Sequence, residues 1–214
     1  MYQGYILADA QDVIVVDARI RVMRKAPRSD NRLAIRPYPK ELEGCHQLAG
    51  IGRVQLRPIR PEDASKLAQL IEDLAPEDRR MRFFTPLQTL GTAALVRLTQ
   101  IDYDREMAFV AYVEEVPNRL LGVARLAADP DNIAAEFAIV VRSEFHRRGL
   151  GKLMLGQLVA YAQARGTSEL FGDVLAENHG MLALCAKLGF SVDVPESQGV
   201  VRVRLRPPIR SPAS

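Results

Sequence analysis

Apolar positions change their period several times along this chain, and each change marks a predicted element. Val13-Ile14-Val15-Val16, set between Asp12 and Asp17, has the length of a short buried strand. From residue 27 to residue 52 the pattern dissolves into Pro, Gly and charge, and Pro37-Tyr38-Pro39 opposes helix. A linker holding at most an isolated strand is expected there. Order returns at Val54-Gln55-Leu56-Arg57-Pro58-Ile59, a strand ending in Arg60-Pro61-Glu62-Asp63. Pro61 lacks an amide hydrogen and suits a first helical turn, while Glu62 and Asp63 favour the positive end of a helix. Leu67, Leu70, Ile71 and Leu74 then recur at helical spacing. Pro76 stops that helix or begins another turn, and a further helix is expected over residues 89–99, with Ala93, Leu95, Val96 and Leu98.

Three strands are predicted next, over residues 107–113, 120–127 and 134–141, with Pro117-Asn118 and Asp129-Pro130-Asp131-Asn132 as turns. Leu150, Leu153, Met154, Leu158 and Tyr161 give a helix over 150–164 a broad apolar face, and Gly166 lies just past its end. A strand over 169–175, a helix near 179–188 closed by Gly189, and strands over 190–192 and 200–204 complete the series. Strand, two helices, three strands, helix, strand, helix and strands make an α+β protein with a mixed, mostly antiparallel central sheet.

Composition narrows the class. The 214 residues are 48% hydrophobic and 26% charged, ordinary for a soluble globular protein. No apolar run has the length of a membrane span, and the N-terminus lacks a basic region followed by an apolar one. Cys45 and Cys185 form no disulfide framework and no metal-ligand pair, so a cytoplasmic protein without a metal is expected. A net charge of +3, without aromatics interleaved among basic residues, argues against a nucleic-acid partner. The basic excess is local, in Arg19, Arg21, Arg24, Lys25, Arg28, Arg32, Arg36 and Lys40. It reads as a solvated linker, with a docking surface for an acidic partner as the alternative.

Chemistry concentrates in Phe145-His146-Arg147-Arg148-Gly149-Leu150-Gly151-Lys152, between a strand and an apolar helix. Gly149 and Gly151 allow a tight turn and close approach to a ligand. The amides of the first helical turn lack intrahelical partners and point along the positive end of the dipole, which suits a pyrophosphate. Arg147, Arg148 and Lys152 can add charge-assisted contacts. The loop is not a Walker A motif, and a dinucleotide-binding loop would need a parallel strand before it. Nearby, Glu136 interrupts an apolar strand, on the face of Ala138 and Val140 and opposite Phe137, Ile139 and Val141. It reads either as a base or as an edge-strand charge.

Arg148 to Gly151 resembles motif A of the GNAT acetyltransferases, and Asn178-His179-Gly180-Met181-Leu182-Ala183-Leu184-Cys185-Ala186-Lys187-Leu188-Gly189-Phe190 resembles their motif B. Leu56-Arg57-Pro58-Ile59-Arg60-Pro61-Glu62-Asp63 is similar to their opening strand and helix. Leu98-Thr99-Gln100-Ile101-Asp102-Tyr103-Asp104-Arg105-Glu106-Met107-Ala108-Phe109 and Ala135-Glu136-Phe137-Ala138 are similar to stretches of the bacterial Pat-type protein lysine acetyltransferases. Ala8-Asp9-Ala10 through Asp17-Ala18-Arg19-Ile20-Arg21-Val22 resembles the last piece of the acyl-CoA synthetase-like, ATP-grasp-containing region that precedes many of them, Asp17 echoing a metal ligand there. The resemblance implies a remnant of that region over 1–25 that binds no nucleotide, a linker over 26–52, a GNAT domain over 53–206 and a disordered tail over 207–214.

It further implies acetyl-CoA as co-substrate and a protein lysine as acceptor, an acyl-CoA synthetase being the expected target. Glu136 matches the family's catalytic base, which would take the amine proton for direct attack on the thioester. Backbone groups at Ile139, Val140 and Val141 would hold the pantetheine arm, an amide near Val141 would meet the oxyanion, and the loop from Arg147 to Lys152 would hold the pyrophosphate. Asn178 would contact the cofactor, or cap its helix, or both. His146 stands where Gln or Arg is usual, and Cys185 where a thiolate-protonating Tyr is usual. His146 is expected in a surface loop, His179 facing solvent and Cys185 as a buried apolar side chain. Met81-Arg82-Phe83-Phe84 and Asp102-Tyr103-Asp104 fall where acceptor loops or packed surface turns would lie. A small-molecule amine as acceptor, or a CoA-binding module without turnover, stay open as alternatives.

Overall fold

A computed structural model describes residues 2–8, 13–20, 37–84, 89–193 and 199–206, with side chains from residue 37 onward. It divides into two compact units, Met1–Arg36 and Pro37–Ser214. In the first, β1 (Tyr2–Ala8) pairs antiparallel with β2 (Val13–Ile20), the register shifting between Tyr5 and Ile6. The apolar run at Val13 thus lies in a strand. The Asp17 side chain, the side chains of the basic run over 19–36 and the tail over 207–214 lie outside the described residues.

The second unit is built on an eight-stranded sheet, among the described residues, in the order β3 (Gly44–Leu48), β4 (Gly52–Pro58), β5 (Glu106–Val113), β6 (Leu120–Ala128), β7 (Ala134–Val141), β8 (Glu169–Leu175), β10 (Val200–Leu205) and β9 (Ser191–Val192). All neighbours pair antiparallel except β7 and β8, which are parallel. Pro37–Gly52, which the sequence assigns to the linker, falls by its contacts within this unit and supplies its first strand. No residue of Gly-Cys-His-Gln-Leu is fully buried in β3, so its apolar signal is weak.

Strand alternation divides the interior into two cores. On one face Met107, Phe109, Ala111, Leu126, Ala135 and Phe137 meet α4 (Leu150–Arg165) and Cys185 of α5 (His179–Lys187). Leu150, Met154, Leu155 and Leu158 of α4 are 0% exposed. Each is worth roughly 1.5–3 kcal/mol on burial, more than helix propensity contributes per residue. On the other face Ala108, Val110 and Val140 meet α1 (Ala64–Glu72), with Phe83 of α2 (Pro76–Phe83) and Leu95 and Leu98 of α3 (Thr92–Thr99) at its margin. Pro76 therefore begins a helix. α3 starts three residues later than the apolar pattern predicts, because Gly91 is extended. No helix among the described residues is long and apolar enough to cross a membrane.

The entry to α1 is held by a buried ion pair. Asp63 Oδ2 and Oδ1 accept from both terminal nitrogens of Arg57 at 2.7 Å, and Oδ2 also accepts from the Arg60 amide at 2.9 Å. Asp63 is 1% exposed. Burial opposes ionisation of its carboxyl, but the Arg57 bonds and the Arg60 amide outweigh it and hold the group below the usual carboxylate range.

Candidate active site

Strand β7 keeps its register with β6 from Ala128↔Ala135 to Gly122↔Val141. Its pairing with β8 stops after Ala134↔Glu169, Ala135↔Leu170 and Glu136↔Phe171. Beyond Glu136 the two strands part, and the Phe137 ring lies over the neighbouring strand on the α4–α5 face. A Cβ on Gly172 would lie 2.7 Å from Phe137 Cε1, so the ring packs directly on the bare backbone of β8. Phe190 meets the ring edge-on at 5.2 Å between centroids. The same alternation turns Glu136 to the opposite face, where it is exposed. It stands between two paired strands, not at a sheet edge.

The parting leaves backbone groups of β7 without a neighbouring strand. Val140 is not the source of them. Its carbonyl faces β6, 2.7 Å from where a Cβ on Gly122 would sit, and the Arg142 amide donates to Leu121 O at 2.9 Å on the same side. Its side chain is buried in the α1–α3 core. Peptide groups alternate along a strand, so those of Ile139 and Val141 point into the gap. The Val141 carbonyl there lies 2.8 Å from His146 Nε2. A carbonyl only accepts, so Nε2 carries the hydrogen in this contact.

The gap leads to the loop before α4. Gly149 has φ +86°, a conformation costly for other residues, and Arg147 has φ +57°. The first amide to find a carbonyl of the turn is that of Leu153, bonded to Gly149 O at 3.0 Å. The amides before it precede the helical ladder, at the positive end of a 16-residue helix, where backbone amides favour an anion. Leu150 offers only its backbone, being 0% exposed. Gly151 is helical, and a Cβ there would make ordinary contact with Leu184 of α5 at 3.4 Å. Arg147 and Lys152 are exposed. Arg148 is turned aside, donating to Gly50 O of the β3–β4 turn at 2.7 Å. Beside the loop is a cavity of about 450 Å³ lined by Leu48, Gly149, Lys152, Leu153, Gly156, Gln157 and Leu188.

The family model described as the acetyltransferase (GNAT) family aligns with residues 67–190, a span that holds the parted β7–β8 pair, Glu136 and the loop before α4. The chain belongs to the GNAT family of acetyltransferases. This GNAT protein is 33% identical over 153 residues to the acetyltransferase PA5475 of Pseudomonas aeruginosa, covering 70% of this chain and 82% of the relative. It is 27% identical over 154 residues to the acetyltransferase Pat of Mycolicibacterium smegmatis, covering 72% of this chain but 45% of that protein. The GNAT domain of S. lividans PAT superposes with a TM-score of 0.73 at 24% identity, over 79% of this chain and 99% of that domain.

The motif B residues of the GNAT domain take structural roles. Asn178 Oδ1 accepts the Met181 amide at 3.0 Å, a helix N-cap that leaves the side-chain NH₂ for another partner. Cys185 is fully buried, and burial pushes its thiol up to about 12. It is an apolar core group and ill-suited to carry an acyl chain. Cys45 is exposed and accepts from Arg53 Nε at 2.9 Å. A thiol titration of the native protein is therefore expected to count Cys45 alone, with Cys185 reacting only after denaturation; reaction of both in the native state would contradict the burial.

The sheet face that carries Glu136 is organised by residues that the apolar pattern does not reveal. Arg125 of β6 donates to Glu106 Oε2 at 2.6 Å and to Leu98 O. Arg142, 3% exposed, joins Leu120 O at 2.7 Å to Asp73 at 2.8 Å and so anchors the end of β7 to the end of α1. A lone Arg directly after an apolar strand was the available signal. Met81, Arg82 and Phe83 lie in α2, which packs on β7. Asp102-Tyr103-Asp104 is a packed turn, not an open acceptor loop. Arg165 bonds Asp104 Oδ1 at 3.1 Å, and the Tyr103 hydroxyl donates to Ile59 O at 2.7 Å.

Proposed function

We propose that this GNAT acetyltransferase moves the acetyl group of acetyl-CoA to a lysine amine of a protein, an acyl-CoA synthetase being the expected target. The observation that carries the chemistry is the exposed Glu136 carboxylate at the vertex of a backbone gap that runs to the α4 anion loop. The relatives named Pat support the protein acceptor.

A lysine amine, with a pKa of ~10.4, must lose a proton before it attacks. Glu136 accepts that proton, directly or through a water, as the nitrogen bonds to the thioester carbon. The C–S bond then breaks, and CoA leaves as its thiolate. The outward peptide groups of Ile139 and Val141 hold the pantetheine arm, and the Val141 amide is placed to meet the developing oxyanion. The amides from Gly149 to Lys152 hold the pyrophosphate, with Arg147 and Lys152 adding charge. Arg148, bonded to Gly50 through one terminal nitrogen, keeps its other donors for the phosphates, and Asn178 contributes its NH₂.

Gly149→Val tests the cofactor site. Forcing a branched residue into the left-handed region costs about 1–2 kcal/mol, so KM for acetyl-CoA should rise roughly tenfold. An unchanged KM would remove the loop from the binding site. The reaction class is tested by thiol release from acetyl-CoA with candidate proteins, an acyl-CoA synthetase among them, and with small amines, each product weighed intact. Acetylated protein lysine supports the proposal. Turnover with amines alone would make the chain a small-molecule acetyltransferase, and turnover with neither would make it a CoA-binding module.

A further inference from the structure

We infer that Ala127 of β6 determines which acceptors reach Glu136, by leaving a low step in the sheet across which one unbranched cationic side chain can lie. The inference rests on Glu136 being the base. Its foundation is the strand register. Glu106 of β5 pairs with Ala127, and Ala127 pairs with Glu136 of β7, so the three stand in one cross-strand row. Residues directly opposite one another share a face of the sheet. Two positions along, Ala108, Arg125 and Ala138 form the next row on that face, and Val110, Val123 and Val140 form a third. Ala108, Val110 and Val140 are buried in the α1–α3 core, whereas Ala127 and Glu136 are both exposed. The cover of the helices thus ends before the row that carries the two acids.

The two sides of Glu136 differ. Towards β8 its row partner is Phe171, and the Arg202 guanidinium lies over that ring at 5.0 Å while donating to both oxygens of Asp173 at 2.8 and 2.9 Å. Towards β6 the one long side chain nearby is drawn off, because Arg125 donates to Glu106 Oε2 at 2.6 Å and to Leu98 O. What remains between the two acids is the Ala127 methyl group. Neighbouring strands lie about 4.8 Å apart, so the backbones of Glu106 and Glu136 are about 10 Å apart across it. A lysine has the chemistry for this step, since its methylene stem rests on apolar surface while its ammonium seeks a polar partner. Glu106 already holds Arg125, so along this row the carboxylate offered to an incoming cation is Glu136. A larger side chain at 127 would fill the step on the β6 side of β7, whereas the backbone gap opens on the β8 side.

The test is calorimetric binding of two probes to the parent protein, Ala127→Leu and Ala127→Ser. One probe is CoA. The other is CoA joined through its sulfur and an acetyl unit to the Nε of Nα-acetyl-lysine amide, so that cofactor and acceptor lysine are held in one molecule. Ala127→Leu should weaken the conjugate roughly tenfold or more and leave the Kd for CoA unchanged. Ala127→Ser, close to alanine in size, should bind both probes as the parent does. Parental affinity of Ala127→Leu for the conjugate would show that the lysine does not cross Ala127 and would overturn the inference. Equal weakening of conjugate and CoA would overturn it too, by assigning the effect to the sheet as a whole. If Ala127→Leu does not fold, Ala127→Thr, a β-branched residue suited to a strand, takes its place with the same outcomes. Parental turnover in Glu136→Gln would instead defeat the base, a separate failure that the binding of the two probes does not share.

Discussion

Glu136→Gln is expected to lower kcat by roughly 10²–10⁴-fold, with acetyl-CoA binding left at the parental level. Glutamine keeps the size and a hydrogen-bonding oxygen but cannot take a proton at neutral pH. The side chain faces away from the α4–α5 core, and its strand pairs on both sides, so the substitution asks nothing of the packing. Stopped acetyl transfer with intact cofactor binding, measured by single-turnover kinetics and calorimetry, is therefore the signature of a base. Parental turnover would show that the amine arrives already neutral and that Glu136 is a surface carboxylate.

Asp63→Asn is expected to destabilise the GNAT domain by roughly 3–5 kcal/mol, since it leaves the Arg57 guanidinium buried without its countercharge. The effect carries a pH signature. The folded-state pKa of Asp63 lies below its unfolded value, so the native state binds fewer protons than the unfolded chain around that pKa. The stabilisation is therefore complete above the unfolded value of ~3.9 and is lost as pH falls through the folded one. Denaturant unfolding at neutral pH should separate parent and variant clearly, and the gap should narrow as pH falls below about 4. A constant gap would assign the loss to geometry and not to charge.

What the sequence disclosed depended on whether a feature was local. β7 and β8 have the predicted bounds, because turn residues flank apolar runs on both. The Gly149 turn and the burial of Cys185 were likewise written in neighbouring residues. Backbone direction was not, since Val140 and Val141 look alike until the register with Gly122 decides which peptide faces the gap. The bond from Arg148 to Gly50 was not legible, because the two lie 98 residues apart and Gly50 falls in a stretch that resembles a linker. α2, Pro-Glu-Asp-Arg-Arg-Met-Arg-Phe, has the composition of a solvated surface helix, and only its ties to Ser143 and Glu177 place it over the site.

The Phe137 ring on Gly172 has a consequence for how such an enzyme can diversify. Phe137 belongs to the α4–α5 interior, whereas Glu136 and its neighbours Ala138 and Val140 face the α1–α3 side. Substitutions in the two interiors share few partners, so their free-energy effects should come close to adding. Substitutions around α2 and α3 can then accumulate with little effect on the packing of the β7–β8 parting and the loop before α4.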